Sequence, residues 1–286
     1  MATIAVLGTG LLGAAFAENL ISKGHTVRVW NRTRQKLAPL VEKGAMAAAD
    51  PAECVRGADR VHLVLSEDTA VDDVVEQLRP GLGDGVPVVD FSTNLPAKVL
   101  ARFERLRAAG VRYISSPVFM APKHARTGTG LIVMSGPQAD DEELRPALEE
   151  MTGKFWYLGE RVDLAAIYKL AGNSFFFAVT AALGDTLALG RANGVDESVM
   201  MELFQEFKPG SGLHTVHERI VTACDGTPSF EMTMAHKDAR LTKEASGAEH
   251  LLVLPAVIAG MERGIDNGDG GACLLYTSPS PRDTMS

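Results

Sequence analysis

The chain has 286 residues, 46% of them apolar, and a formal net charge of −8. That length and apolar share suffice for two domains with a sizeable core. The acidic balance argues against a nucleic-acid-binding surface, so affinity for an anionic ligand must come from local groups. The three cysteines, Cys54, Cys224 and Cys273, follow no metal or disulfide spacing, and a reducing, cytoplasmic setting is expected.

A β-branched apolar run, Ala2–Leu7, opens the chain, so no signal peptide is expected. It ends in Gly8-Thr9-Gly10-Leu11-Leu12-Gly13, after which the spacing turns helical through Phe16, Leu20 and Ile21. Between a strand and a helix, G-x-G-x-x-G is the fingerprint of a dinucleotide site. Gly8 allows a tight turn, Gly10 lets the backbone approach a pyrophosphate, and Gly13 lets helix and strand pack closely. The helix N-terminus offers free N–H groups and a positive dipole end to the phosphates.

The second strand, His25–Trp30, stops at Asn31-Arg32-Thr33. An NAD site usually places Asp or Glu here to accept from the ribose 2′-hydroxyl. Arg32 can instead grip a 2′-phosphate with a bidentate pair, and Thr33 can add a hydroxyl donor. NADP is therefore expected over NAD. The plainer reading makes Arg32 a solvated arginine and Thr33 a helix N-cap.

Alternating patterns continue: a helix at Arg34–Lys43 stopped by Gly44, an Asp50 N-cap before Pro51, a strand at Arg60–Leu65 and a helix at Asp68–Leu78. A strand at Val86–Phe91 and a helix at Leu95–Ala109 follow, then strands at Val111–Ser115 and Leu131–Met134, a helix at Ala139–Met151 and a strand at Phe155–Leu158. Strand–helix alternation implies a parallel sheet.

From Asp163 to Asn193 the pattern is helical, about 45 Å if unbroken, with Gly194 as C-cap. Its apolar stretch Ser174–Gly184 is flanked by polar and charged residues, too short to span a membrane, and is expected to be buried. Helices are expected at Glu197–Glu206, Leu213–Cys224, Met234–Ser246 and Pro255–Arg263. The predicted architecture is α/β: a Rossmann-type doubly wound parallel sheet in residues 1–162, then an all-α domain in 163–269. Residues 273–286 resemble the translation of a sequencing-library adapter and are expected to be non-native.

Lys169 and Asn173 lie four residues apart, on one face of the long helix, with Gly172 near that face. Lys169 has two readings: a lysine snorkelling at the bundle rim, or a proton donor to a carbonyl oxygen. His214 and His217 share a helical spacing, but no third metal ligand is evident.

The glycine motif, the Lys169–Asn173 pair and His236-Lys237-Asp238, in this order, resemble the β-hydroxyacid dehydrogenases. That family contains 3-hydroxyisobutyrate dehydrogenase, glyoxylate/succinic semialdehyde reductases and, more distantly, imine reductases and 6-phosphogluconate dehydrogenase. The resemblance spans Ala2 to about Asp269. It implies that Lys169 is the catalytic acid/base, that Asn173 orients the substrate, and that Lys237 lies near the cofactor. It also implies that the backbone at Leu65-Ser66 runs along the cofactor and that Thr93, with Ser92 as alternate, reaches the nicotinamide side. Both Ser92 and Thr93 also suit a helix N-cap.

The family's substrate loop reads Pro-Val-Ser-Gly-Gly; here it is Pro117-Val118-Phe119-Met120-Ala121-Pro122. Phe119, Met120 and Ala121 are the substrate-binding candidates, and the lost serine implies a more apolar or differently shaped substrate. Lys123, His124 and Arg126 either replace the lost anion contact or face solvent. The resulting expectation is an NADP-dependent oxidoreductase of a small hydroxy acid or aldehyde, bound between the two domains. An imine reductase and a non-catalytic NADP-binding protein are the alternatives. The partners expected are a small-molecule substrate and further copies in a homodimer or homotetramer, with no nucleic acid, membrane or metal.

Overall fold

Ile4 and Val6 of the first strand, β1 (Thr3–Leu7), face one apolar cluster; Ala5 and Leu7 face another. Two-residue alternation with both faces apolar marks a strand buried between two layers. The computed structural model describes residues 1–213, 230–247 and 249–274. All of the expected helix Leu213–Cys224 beyond Leu213, with His214, His217 and Cys224, and nearly all of the suspect tail lie outside the described residues.

After β1 come α1 (Leu11–Ser22), β2 (Thr26–Trp30), a 3-10 turn at Arg34–Leu37, α2 (Ala38–Glu42), β3 (Met46–Ala47) and α3 (Pro51–Val55). β4 (Arg60–Leu63), α4 (Asp68–Leu78), β5 (Val88–Asp90), α5 (Pro96–Ala108) and β6 (Tyr113–Ser115) complete the alternation. All six strands pair in parallel, in the order β3-β2-β1-β4-β5-β6. This is the doubly wound order expected of a dinucleotide-binding sheet, and it reverses between β1 and β4. Phe16 and Leu20 of α1 cover one face; Val71, Val75 and Leu78 of α4 and Leu106 of α5 cover the other.

The Arg34–Lys43 stretch is not one helix. Pro39, with no N–H to donate, starts a separate α2 after the 3-10 turn. Asp50 caps α3 as expected, accepting from Glu53 N at 2.7 Å. The strands at 131–134 and 155–158 do not extend the main sheet. β7 (Val118–Phe119), which follows it, pairs antiparallel with β8 (Leu131–Met134) across α6 (Pro122–Thr127). β9 (Lys154–Tyr157), reached through α7 (Gln138–Glu149), pairs parallel with β8, making a second, three-stranded sheet.

The chain divides into two compact units, Met1–Asn173 and Ser174–Ser286. The long helix α8 (Leu164–Ala192) runs through the boundary. Gly194, with φ +70°, ends it as a C-cap should, its N–H donating to Arg191 O. α9 (Glu197–Glu206), α10 (Met232–Ala245) and α11 (Leu254–Gly264) follow among the described residues. Met232, Ala235 and Ala239 of α10 pack on Ile258 and Met261 of α11. Asp185 of α8 ties down the start of α11 by accepting from the backbone N–H of Leu252, Val253 and Leu254 at 2.6–2.9 Å. Burial raises the Asp185 pKa, but those three bonds outweigh it and hold the carboxyl below its ordinary value.

The expected burial of Ser174–Gly184 is corrected. Phe175, Phe176, Phe177 and Val179 are exposed, Phe176 by 64%. By length and composition α8 is apolar enough to cross a membrane. Composition does not say whether an apolar helix face is covered by its own chain, so burial could not be read from hydropathy alone.

Candidate active site

A cleft of about 480 Å³ opens over the C-terminal ends of β1, β2, β4 and β5, at the switch point of the sheet. Gly8, Gly10, Leu11, Leu12 and Gly13 form its floor. Gly8 has φ +96°, a conformation that L side chains avoid. A Cβ on Gly13 would meet the Gly8 carbonyl and the Val64 side chain, so only glycine lets α1 pack here. Gly10 is different: a Cβ there would meet no protein atom within 4 Å. No protein atom requires glycine at this place, and the open space fits the close approach of a ligand.

α1 starts at Gly10 with no side-chain cap, which leaves first-turn N–H groups to an anion. The Thr9 hydroxyl oxygen is buried and has no hydrogen-bond partner among the described residues. An open Gly10, an uncapped helix start and an orphaned buried hydroxyl together fit a dinucleotide pyrophosphate.

Asn31, Arg32 and Thr33 line one end of the cleft, with Lys36 beside them. Asn31 spends its amide on the protein, accepting from Thr9 N at 3.1 Å and donating to Thr33 O at 3.0 Å. It clips the end of β2 to the glycine turn. Thr33 precedes the 3-10 turn without making a side-chain cap, so its hydroxyl is not spent there. Lys36 was missed by sequence reasoning. Its signal was an i, i+4 relation to Arg32 that a helix starting at Arg34 obscured.

Leu65 and Ser66 line the other end, together with Phe91, Ser92 and Thr93. Ser92 is buried and its Oγ accepts from Leu65 N at 2.9 Å, so it is a structural clip; Thr93 is exposed to the cleft end. Neither caps the following helix, whose N-cap position is Leu95.

Lys169, half-buried on α8, donates to the Val118 carbonyl at 2.7 Å, and its Nζ stands 4.6 Å from the Phe119 ring centroid. Burial pulls its pKa below the ordinary lysine value. An ammonium held by one carbonyl and one aromatic face retains donor capacity for a substrate oxygen. Asn173 is half-buried one turn further along the same helix face. Met120 is half-buried and Ala121 exposed, at the start of α6. Near this loop Arg126 is paired with Glu18 at 2.8 Å, the His124 ring accepts from Ala121 N at 3.2 Å, and Lys123 is exposed. Lys237 belongs to the second unit, exposed on α10 and paired with Asp238 at 3.0 Å. The neighbouring His236 faces Glu262, at 3.3 Å.

Residues 3–159 match the family described as the NAD binding domain of 6-phosphogluconate dehydrogenase. Glyoxylate/succinic semialdehyde reductase 1 of Arabidopsis thaliana is 28% identical over 266 residues, 91% of this chain and 90% of that protein. 3-Hydroxyisobutyrate dehydrogenase of Pseudomonas aeruginosa is 30% identical over 220 residues, 74% of this chain and 72% of that protein. Among solved structures, the Streptomyces aurantiacus imine reductase superposes with a TM-score of 0.87 at 25% identity, covering 99% of each chain.

Proposed function

The chain belongs to the β-hydroxyacid dehydrogenase family, and from that premise we propose that it is an NADP-dependent reductase of a small aldehyde or hydroxy-acid-type substrate, with Lys169 as its acid/base. The observation that carries this reading is the placement of Lys169: half-buried, its ammonium held against Val118 O and the Phe119 ring, on the helix face it shares with Asn173. When bound, the nicotinamide cofactor supplies or accepts the hydride. Lys169 delivers a proton to the carbonyl oxygen in reduction and takes it from the hydroxyl in oxidation. Asn173 orients the substrate, and Phe119 and Met120 make its surroundings apolar.

NADP is favoured over NAD by Arg32, Thr33 and Lys36 at one end of the cleft. Two cations and a hydroxyl suit a 2′-phosphate, and Asn31 in place of a carboxylate removes the repulsion. The chain acts as a homodimer or homotetramer in the cytoplasm, with the exposed apolar face of α8 covered by another copy. Lys237 contributes to the cofactor side.

Reduction of a C=N bond is a second reading, favoured by the 25% identity to an imine reductase over nearly the whole chain. The test is NADPH oxidation against a panel of small aldehydes, keto acids and cyclic imines. Turnover of aldehydes or keto acids supports the first reading, and turnover of imines alone supports the second. Tight NADPH binding without turnover would assign the chain a non-catalytic role.

A further inference from the structure

Asp90, the last residue of β5, is fully buried, and a buried carboxylate is costly unless its oxygens are satisfied. Here three donors satisfy it: Ser92 N at 2.9 Å, Asn94 Nδ2 at 2.8 Å and the Tyr113 hydroxyl at 2.7 Å. Burial, then the Asp90 charge, hold the Tyr113 hydroxyl well above the usual tyrosine range, so it stays a donor. The Tyr113 oxygen in turn accepts from Arg102 Nη1 at 3.2 Å. Arg102 is only 2% exposed. It ends on α4, pairing with Asp68 and Asp72 at 2.8 Å each. Asp68 closes the ring by accepting from Leu95 N at 2.9 Å.

None of Asp90, Tyr113 and Arg102 lines the dinucleotide cleft, but the loops they fasten do. Ser92, whose backbone is held by Asp90, receives the Leu65 N–H, so the loop after β4 is locked to the loop after β5. Apolar side chains of similar volume would stabilise the sheet at least as well as buried charges; what a ring of directional bonds adds is fixed geometry. In a doubly wound sheet the pyrophosphate lies over the glycine turn and the adenosine ribose at the end of β2. The end of the cleft built by Leu65, Ser66, Ser92 and Thr93 therefore receives the nicotinamide half.

We propose that Asp90, Tyr113 and Arg102 are positioning residues that set the spacing of these two loops and so select and orient the nicotinamide half of the cofactor. The inference rests on the cleft being the dinucleotide site.

The test measures, by calorimetry on the full chain, NADPH against 2′,5′-ADP and NADH against AMP, for wild type, Tyr113→Phe and Asp90→Asn. Each fragment keeps the adenosine end and lacks the nicotinamide half. The expected result is about a tenfold loss of dinucleotide affinity in both variants, within the range by which residues that contact no ligand modulate a site. Fragment affinity should stay within about twofold, since the adenosine end is untouched. Parallel losses for dinucleotide and fragment would reduce the ring to a structural role and overturn the proposal, as would no change in either. Should one variant fail to fold, the other decides. A wild-type chain that binds neither dinucleotide would overturn the cofactor reading itself, which separates that failure from this one.

Discussion

The Phe119 ring fills the space that a side chain at residue 172 would need. A Cβ on Gly172 would stand 2.5 Å from Cε1 and 2.7 Å from Cζ of that ring. Two substitutions are thus coupled across β7 and α8, directly beside Lys169.

Gly172→Ala gains helix propensity but must displace the ring, and overpacking of this kind costs about 1–3 kcal/mol. The net expectation is destabilisation in chemical denaturation together with reduced activity, since the ring also contacts Lys169. Adding Phe119→Ala opens the space, and the double variant should recover the stability lost to the clash. An additive double variant would show that the two positions do not share this space.

Arg32→Ala should weaken NADPH binding about 10- to 100-fold, the loss expected for hydrogen bonds to a charged group. NADH binding should change far less. Titration calorimetry with both cofactors checks this, and equal losses would remove the 2′-phosphate assignment. Lys36→Ala should act in the same direction.

The doubly wound parallel sheet was legible because β-branched runs alternating with helical spacing leave few topologies, and because Gly8 and Gly13 carry backbone demands that no other residue meets; the two-residue β3 was not. The second sheet was legible only in part: the strands near 131–134 and 155–158 were expected, but not their separate pairing with Val118–Phe119. Val118–Phe119 is two residues long, between Pro117 and Pro122, and shows no periodicity to read. The glycine-turn and Asn31–Thr33 parts of the cleft lining followed from the glycine motif and the end of the second strand, and Leu65, Ser66 and Thr93 from the family resemblance, whereas the Asp90–Tyr113–Arg102 ring is assembled from three elements with no shared local pattern. The exposed face of α8 was misread as core because hydropathy does not say what covers an apolar residue.

His62 of β4 gives a pH prediction. It is fully buried, its Nε2 accepts from Arg60 Nε at 2.7 Å, and its ring packs edge-on against Phe91 in the cleft wall. Burial, reinforced by the Arg60 charge, holds its pKa well below 6.5. The unfolded chain therefore binds a proton below pH 6.5 that the folded chain refuses, and stability falls as pH drops from that point. One such histidine contributes a slope of up to about 1.4 kcal/mol per pH unit. His62→Gln keeps an acceptor for Arg60 and removes the titration. Denaturant midpoints between pH 7 and pH 5 should fall more steeply in wild type than in the variant; parallel slopes would assign the effect elsewhere.

Phe176→Glu places a charge on the exposed apolar face of α8. Light scattering should show a dimer or tetramer for wild type and a smaller species for the variant, with unchanged circular dichroism. A monomeric wild type that partitions onto lipid vesicles would instead assign this face to a membrane.

The most direct measurement compares wild type with Lys169→Ala in NADPH oxidation by an accepted aldehyde, alongside NADPH affinity. The expected result is a roughly 100- to 10,000-fold fall in kcat, the usual worth of a positioned acid/base. Cofactor affinity should be unchanged, because Lys169 contacts Val118 and Phe119 rather than the cleft lining. A variant that keeps wild-type turnover would contradict the assignment of Lys169 as the proton donor.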